Sequence, residues 1–323
     1  MKKYVILVFL ASFTCGQQVK TENAVLQKPV IDGEFVHIFN PNDTRSKGDD
    51  DQVWYTNDHC FAMDSSGIWH AYGIIGRRPA DAWNETQFFH ASSRELLKPQ
   101  WDDHGYAMTA EPGVERVLWA PHIYQENGVS YMFYNTGNMQ ENARKYCSWG
   151  QLRMAHSRDM FQWTRHDRNP LFSDPGHARD ACVKKFGDLY YFYYTRTFSE
   201  VDTRSCVGVR TSHNLLDWSG PKIAHIQPND ANWWGGDAES PMVIFKNGYY
   251  YLFICLAMTE YNLTKVYWSN DPLEFPIENL VTSLPVHAAE IIHDEANDQW
   301  YISATGWDKK GLFLAKLKWE LIQ

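Results

Sequence analysis

Three acidic residues stand out by their surroundings. Asp58 follows Asn57 and leads into the run His59-Cys60-Phe61; Asp180 follows Arg179; Glu239 opens Glu239-Ser240-Pro241. Each lies just ahead of an aromatic, β-rich stretch, and they are separated by 122 and 59 residues. Carboxylates brought to one point repel, so one is driven toward its neutral, proton-donating form while another stays ionised. That pairing is what general acid–base chemistry requires. Each residue also has a plainer reading. Asp58 can close a turn after Asn57, Asp180 can serve as an ion-pair partner of Arg179, and Glu239 can be a solvated loop acid with Asp237 as its rival. The run Asp49 to Asp51 reads as a solvated lead-in and is the alternative source of a base.

The elements that must position these groups form a repeat. Five stretches read as hairpins, two β-rich runs about a turn holding Gly, Asn or Asp: 60–72, 122–134, 182–194, 242–253 and 290–302. The turn glycines at 67, 128, 187 and 248 are spaced by 61, 59 and 61 residues. A period near that length is the mark of an array. Further along each repeat comes a turn of the Ser-x-Asp type, as at Ser157-Arg158-Asp159, Ser212-His213-Asn214 and Ser269-Asn270-Asp271. Five repeats of three or four strands predict an all-β fold, a five-bladed β-propeller. A β-sandwich with coincidental spacing is the alternative. In a propeller the first strand of each blade lines the axis, so residues at the start of those strands share one funnel.

Composition narrows the partners. The chain has 323 residues, a formal net charge of -9 and 15% aromatic residues. An acidic balance argues against nucleic acid, whose phosphates call for Lys and Arg. Lys2-Lys3, the apolar run Tyr4 to Leu10 and the small and polar residues that follow read as an export signal over residues 1–15. Cys15 before Gly16 also fits a bacterial lipoprotein signal, which would attach the chain to the outer membrane through lipidated Cys15; ordinary secretion or a periplasmic location is the alternative. Residues 16–50 are polar and turn-rich and read as a tether, with the propeller over 51–323. No CxxC spacing suggests zinc. Cys60, Cys182 and Cys255 fall in strand-like runs, whereas Cys147 and Cys206 fall in expected loops and are able to pair.

The residues also carry a resemblance. Trp119-Ala120-Pro121-His122, Arg179-Asp180, and Glu239-Ser240-Pro241 running into Asn247-Gly248-Tyr249-Tyr250-Tyr251-Leu252-Phe253 occur in the order found in five-bladed propeller glycosidases. The layout resembles glycoside hydrolase family 43 (arabinanases, arabinofuranosidases and xylosidases), with relatives in families 32, 68 and 117. The resemblance spans roughly residues 54–320. It implies that Asp58 is the base, Asp180 the modulator of pKa and orientation, and Glu239 the acid. Glycoside hydrolysis uses such a pair, with the carboxyls roughly 6.5–9.5 Å apart for inversion and roughly 5–5.5 Å apart for retention. Asn57-Asp58 is similar to the nucleophile strand of family 32, but its Pro and Gly are missing, which favours inversion.

The same reading nominates a substrate shell for a carbohydrate. Trp54, Trp119, Trp233 and Trp234 are candidate platforms for the apolar face of a sugar. His90 and Arg196 fall where a second strand or loop meets the funnel, and Arg179 and His122 adjoin the expected acids. His287 opens the fifth blade; in family 43 relatives a histidine near the axis helps hold calcium, so a structural Ca2+ on the axis is implied, though no cofactor is required. Family 117 relatives use a histidine acid, a role open to His177 or His287 if Glu239 is remote. The sequence therefore predicts an exported glycosidase acting on plant or algal glycans. A non-catalytic carbohydrate-binding surface protein on the same fold is the first rival, and a transferring or phosphorolytic enzyme the second.

Overall fold

The computed structural model describes residues 24–45, 53–137, 150–174, 178–197, 204–227, 236–256 and 259–322. The described strands form five antiparallel sheets arranged as a five-bladed propeller. Blade 1 holds Trp54–Met63, Trp69–Arg77, Gln87–Ser93 and Asp102–Thr109 in that order from the axis outward. The inner strands of the next three blades are Trp119–Glu126, Arg179–Phe186 and Glu239–Lys246, and that of blade 5 is Ile291–Asp294. The expected hairpins are the inner two strands of each blade. At Asn127-Gly128 and Asn247-Gly248 both turn residues have positive φ (53° and 73°, 50° and 88°). That is the turn whose twist matches the flanking strands.

The Ser-x-Asp motifs cap the turns beyond the third strands. Ser157 Oγ accepts the Met160 N–H at 2.9 Å, and Asp159 Oδ1 accepts those of Phe161 and Gln162. Asn214 and Asp271 repeat the device in blades 3 and 4. The core lies between blades rather than in one centre. One cluster joins Tyr72 and Phe88 of blade 1 to Met132 and Tyr134 of blade 2, and another joins Phe133 to Phe192 and Tyr194 of blade 3. Removing this apolar surface from water is the main force holding blade to blade.

Two expectations are corrected. Gln27–Phe39, inside the stretch read as a tether, is the outermost strand of blade 5 and pairs with Leu312–Leu321. The N-terminal part of the described chain thereby closes the ring against its C-terminal strand. Its apolar pairs Val30-Ile31, Phe35-Val36 and Ile38-Phe39 are interrupted by Asp32-Gly33-Glu34, where the register shifts, and this break hides the strand from a periodicity reading. Cys206 lies buried within Ser205–Ser212, not in a loop, with its Sγ–H directed at the Arg196 carbonyl at 3.4 Å. Cys15, Cys147, Asp49 to Asp51, His177, Trp233 and Trp234 lie outside the described residues.

Candidate active site

One backbone device builds the site. In blades 1 to 4 the inner strand gains one residue over its partner, between Thr56 and His59, Trp119 and His122, Arg179 and Cys182, and Glu239 and Met242. Such a bulge bends the strand and re-aims its side chains. Ala120, Asp180 and Ser240 occupy its second place with φ of 45°, 57° and 49°. Blade 5 has Ala288 there, at φ 46°. The three acids do not hold equivalent places. Counting from the last paired residue, Glu239 is first, Asp180 second and Asp58 third. Opposite His59, beside Asp58, the chain must be thin: a Cβ on Gly73 would lie 2.6 Å from Phe89 Cε1, 2.7 Å from His59 Cβ and 3.0 Å from the Asp58 carbonyl.

The bulges bring Asp58, Asp180 and Glu239 to one pocket of about 350 Å³, lined also by Asn57, Glu85, Trp119, Arg179, Tyr261, His287 and Trp307. The acids are joined through two neighbours. Ser240 Oγ donates to Asp58 Oδ1, while the Ser240 backbone N–H donates to Asp180 Oδ2 at 3.1 Å. Arg179 donates to Glu239 Oε1, and its Nε lies 3.5 Å from Asp180 Oδ2. Thr195 Oγ1 adds a hydrogen bond to Asp180 Oδ2 at 2.8 Å.

Burial sets the protonation of the trio. It pushes Glu239 up to about 8; Arg179 opposes this, while the charges of Asp180 and Asp58 reinforce it. Burial also raises Asp58, opposed by the Ser240 hydrogen bond and then by Arg179. Asp180 is raised by burial, lowered by Arg179 and raised again by Asp58. A proton is therefore retained on Glu239 near neutral pH, and the hydroxyl of Ser240 favours the ionised form of Asp58. Burial thus raises all three groups, and what differs between them is the influence that opposes it.

The remaining nominated residues divide. Trp119 and His287 line the pocket. The Trp119 indole N–H donates to the Ala82 carbonyl at 3.1 Å. His287 stacks on Tyr261 at 3.8 Å, and its Nδ1 meets the Tyr261 carbonyl at 2.8 Å. A carbonyl only accepts, so Nδ1 carries the hydrogen. Burial lowers His287 to about 4. It is thus neutral at pH 7, presents Nε2 as an acceptor, and is unsuited to act as the acid.

Four nominated residues lie elsewhere. Trp54 is covered by the Arg77 guanidinium, 4.4 Å from its ring, and lines a separate cleft with Arg78 and Tyr106. His90 is on the third strand of blade 1, away from the axis, bonded to His70 at 2.8 Å and stacked on Tyr72. His122 lies past its bulge and reaches the Val183 carbonyl of blade 3 at 3.1 Å, joining two blades. Arg196 lies 3.5 Å from Asp174 rather than beside one of the three acids.

Glu85, Tyr261 and Trp307 escaped the sequence reading because they fall in the connections between the second and third strands of blades 1, 4 and 5, beyond the recognisable hairpins. Gly306-Trp307-Asp308 offered a turn signal, and Glu85 offered none.

Calcium takes six to eight oxygen ligands. Among the described residues, no group of three or more His, Cys, Asp and Glu side chains is arranged to hold a metal ion. His287 Nδ1 is committed to the Tyr261 carbonyl, which leaves Nε2 as a single nitrogen donor for an ion that prefers oxygen, and no step of the proposed mechanism runs through a calcium.

No family model matches the sequence, and no curated protein matches it. Solved structures share its fold. A thermostable family-43 glycoside hydrolase is 18% identical with a TM-score of 0.63, the match covering 84% of this chain and 91% of the other. A family 43 β-xylosidase/α-arabinofuranosidase from a compost metagenome, solved with xylotriose in a calcium-free form, is 15% identical with a TM-score of 0.60, covering 90% and 95%. A family 117 glycoside hydrolase of the marine bacterium Zobellia galactanivorans is 12% identical with a TM-score of 0.62, covering 93% and 92%. The chain has the five-bladed propeller fold of these proteins over nearly its whole described length.

Proposed function

We propose that this protein is a glycoside hydrolase acting on plant or algal glycans, with Glu239 as acid, Asp58 as base and Asp180 as modulator. The observation that carries the reading is the single pocket in which three linked carboxyls surround Arg179, with Glu239 held near 8. Arg179 binds Glu239 through Oε1, so the proton resides on Oε2. From there it passes to the glycosidic oxygen as the carbon–oxygen bond breaks. A water oxygen attacks the anomeric carbon from the opposite face, and its proton goes to Asp58. Asp180 fixes the Arg179 side chain and the Ser240 amide, and its charge keeps Glu239 protonated. The similarity in fold to family 43 and family 117 enzymes supports a carbohydrate substrate.

Asp58→Asn, Asp180→Asn and Glu239→Gln are each expected to abolish release of sugar from arabinosyl, xylosyl, galactosyl and fructosyl substrates. NMR of the first-formed anomer is expected to report inversion. A protein that bound these sugars with unchanged affinity in all three variants, and never turned them over, would be a carbohydrate-binding module instead. The leader reading, residues 1–15 with Cys15 as the lipidated or secreted boundary, is tested by the mass of the mature N-terminus.

A further inference from the structure

The pocket holds a fourth carboxyl that the proposed mechanism does not use. Glu85 is only 2% exposed, yet its side chain lines the pocket. Its Oε1 accepts two hydrogen bonds, from the Tyr55 hydroxyl at 3.0 Å and from the Trp307 indole N–H at 3.1 Å. Among the described residues Oε2 receives none. The backbone is pinned as well, since the Glu85 carbonyl accepts the Leu118 N–H at 2.9 Å. Trp307, 37% exposed, is held at three points: the indole N–H on Glu85, the backbone N–H on the Tyr261 hydroxyl at 2.9 Å, and the carbonyl accepting from Arg78. Blades 1 and 5 and the connection bearing Tyr261 thus fix one indole beside one carboxyl.

We propose that Glu85 is a sugar-binding residue of this pocket, donating a hydrogen bond from Oε2 to a substrate oxygen beside the Trp307 face. This rests on the carbohydrate reading of the pocket but not on hydrolysis. The chemistry follows from the two donors on Oε1. Both donors fall on Oε1, so in the neutral acid the hydroxyl is on Oε2. Burial and the nearby charge of Asp58 push Glu85 up to about 8, opposed by the bond from Tyr55, so the hydroxyl persists at neutral pH. A hydroxyl turned into the pocket is matched by a ligand that brings an oxygen acceptor to it. The pinned Oε1 also holds Glu85 in one orientation, so it grips rather than swings to transfer a proton.

Glu85→Gln and Glu85→Ala separate the possibilities. Glutamine keeps the carbonyl toward Tyr55 and Trp307 and places an N–H donor where the hydroxyl was. On 4-nitrophenyl α-L-arabinofuranoside, β-D-xyloside and β-D-galactoside, Glu85→Gln is expected to stay within about threefold of the parent in KM. Glu85→Ala is expected to raise KM about tenfold or more with a smaller change in kcat. KM of the parent is expected to climb above about pH 8 as Glu85 ionises, and that of Glu85→Gln to stay level. A folded Glu85→Ala with unchanged KM overturns the proposal. So does a Glu85→Gln that loses kcat as fully as Glu239→Gln, which would make Glu85 the acid. If no glycoside is cleaved, calorimetric binding of D-xylose, L-arabinose and D-galactose decides: affinity lost in Glu85→Ala keeps this proposal and removes only hydrolysis, whereas unchanged affinity, or no binding by the parent, removes this one.

Discussion

Ser240→Ala isolates Asp58, the proposed base, from the rest of the site. The Ser240 hydroxyl donates to Asp58, while its backbone N–H serves Asp180 and survives the substitution. The second-place φ of 49° is as open to alanine as to serine. Only one oxygen is lost, and with it the largest influence holding Asp58 down against burial. A hydrogen bond to a charged group contributes about 1.5–3 kcal/mol, and about 1.4 kcal/mol is one pKa unit. The Asp58 pKa should therefore rise by about one to two units. A base must be ionised, so the acid limb of kcat/KM moves to higher pH by the same amount, while the alkaline limb, governed by Glu239 near 8, stays in place. The assay is kcat/KM from about pH 4 to pH 9 on the best-cleaved glycoside. On the acid limb the variant should be about ten- to a hundredfold slower than the parent, and near the optimum the two should converge. An acid limb that does not move, in a variant that unfolds at the parent's temperature, would refute the assignment of Asp58; movement of the alkaline limb instead would make Asp58 the acid.

Thr195→Val removes the 2.8 Å bond to Asp180 and should lower kcat about tenfold with little change in KM, at a cost of about 1 kcal/mol in denaturant stability. Gly73→Ala drives a methyl into Phe89 and the Asp58 backbone, and should cost about 1–3 kcal/mol and reduce kcat by shifting Asp58. Stability should pass through a maximum near pH 6, read from urea midpoints across pH. Buried His59, His90 and His122 near 3, and His225 and His287 near 4, stay neutral in the fold but take up protons when unfolded, so stability falls as pH drops below about 6.5. Glu85, Glu239 and Glu290, each near 8, are protonated in the fold but ionised when unfolded above about 4.5, so they add a loss as pH rises toward 8. Midpoints that climb steadily to pH 8 would contradict this balance.

The repeat was legible because each hairpin must satisfy its own turn chemistry locally. Asn127-Gly128 and Asn247-Gly248 declare their turns in two residues, and the run Tyr249 to Phe253 declares its strand. Arg179 and Trp119 were reachable because they start inner strands, and His287 because it lies just ahead of one; the start of an inner strand has a known direction in a propeller. His122 and Arg196 failed for the complementary reason. Close to those starts a bulge or a neighbouring ion pair re-aims the chain, so distance along the sequence no longer tells where a side chain points. Glu85 and Trp307 sit in the connections between the second and third strands of blades 1 and 5, which the hairpin motif does not cover, and the pocket and the hydrogen bond between them, across 222 residues, show that they belong together.

The bulge itself left a trace. Pro121 and Pro241 stand at its third place, two residues after Trp119 and Glu239. Proline inside a sheet is confined to edges, first residues and bulges, because it has no N–H to give the ladder. Each inner strand is the axial edge of its sheet, where proline is tolerated, and in blades 2 and 4 the proline falls within the interruption. With the period near 60 residues, the same interruption maps to Asp58 in blade 1 and Ala181 in blade 3. Where blades 2 and 4 carry proline, blade 1 carries the proposed base. One bend, repeated around the axis, thus offers successive side chains at slightly different depths. Three blades use it to present an acid at its first, second and third places, and that staggering lets Ser240 and Arg179 each contact two of the three acids. Three acids at equivalent places would face one another across the axis with no room for such intermediaries. The offset between them is therefore a condition for dividing their protonation states, and moving any one acid by a single place should cost the site its function even though the carboxyl is retained.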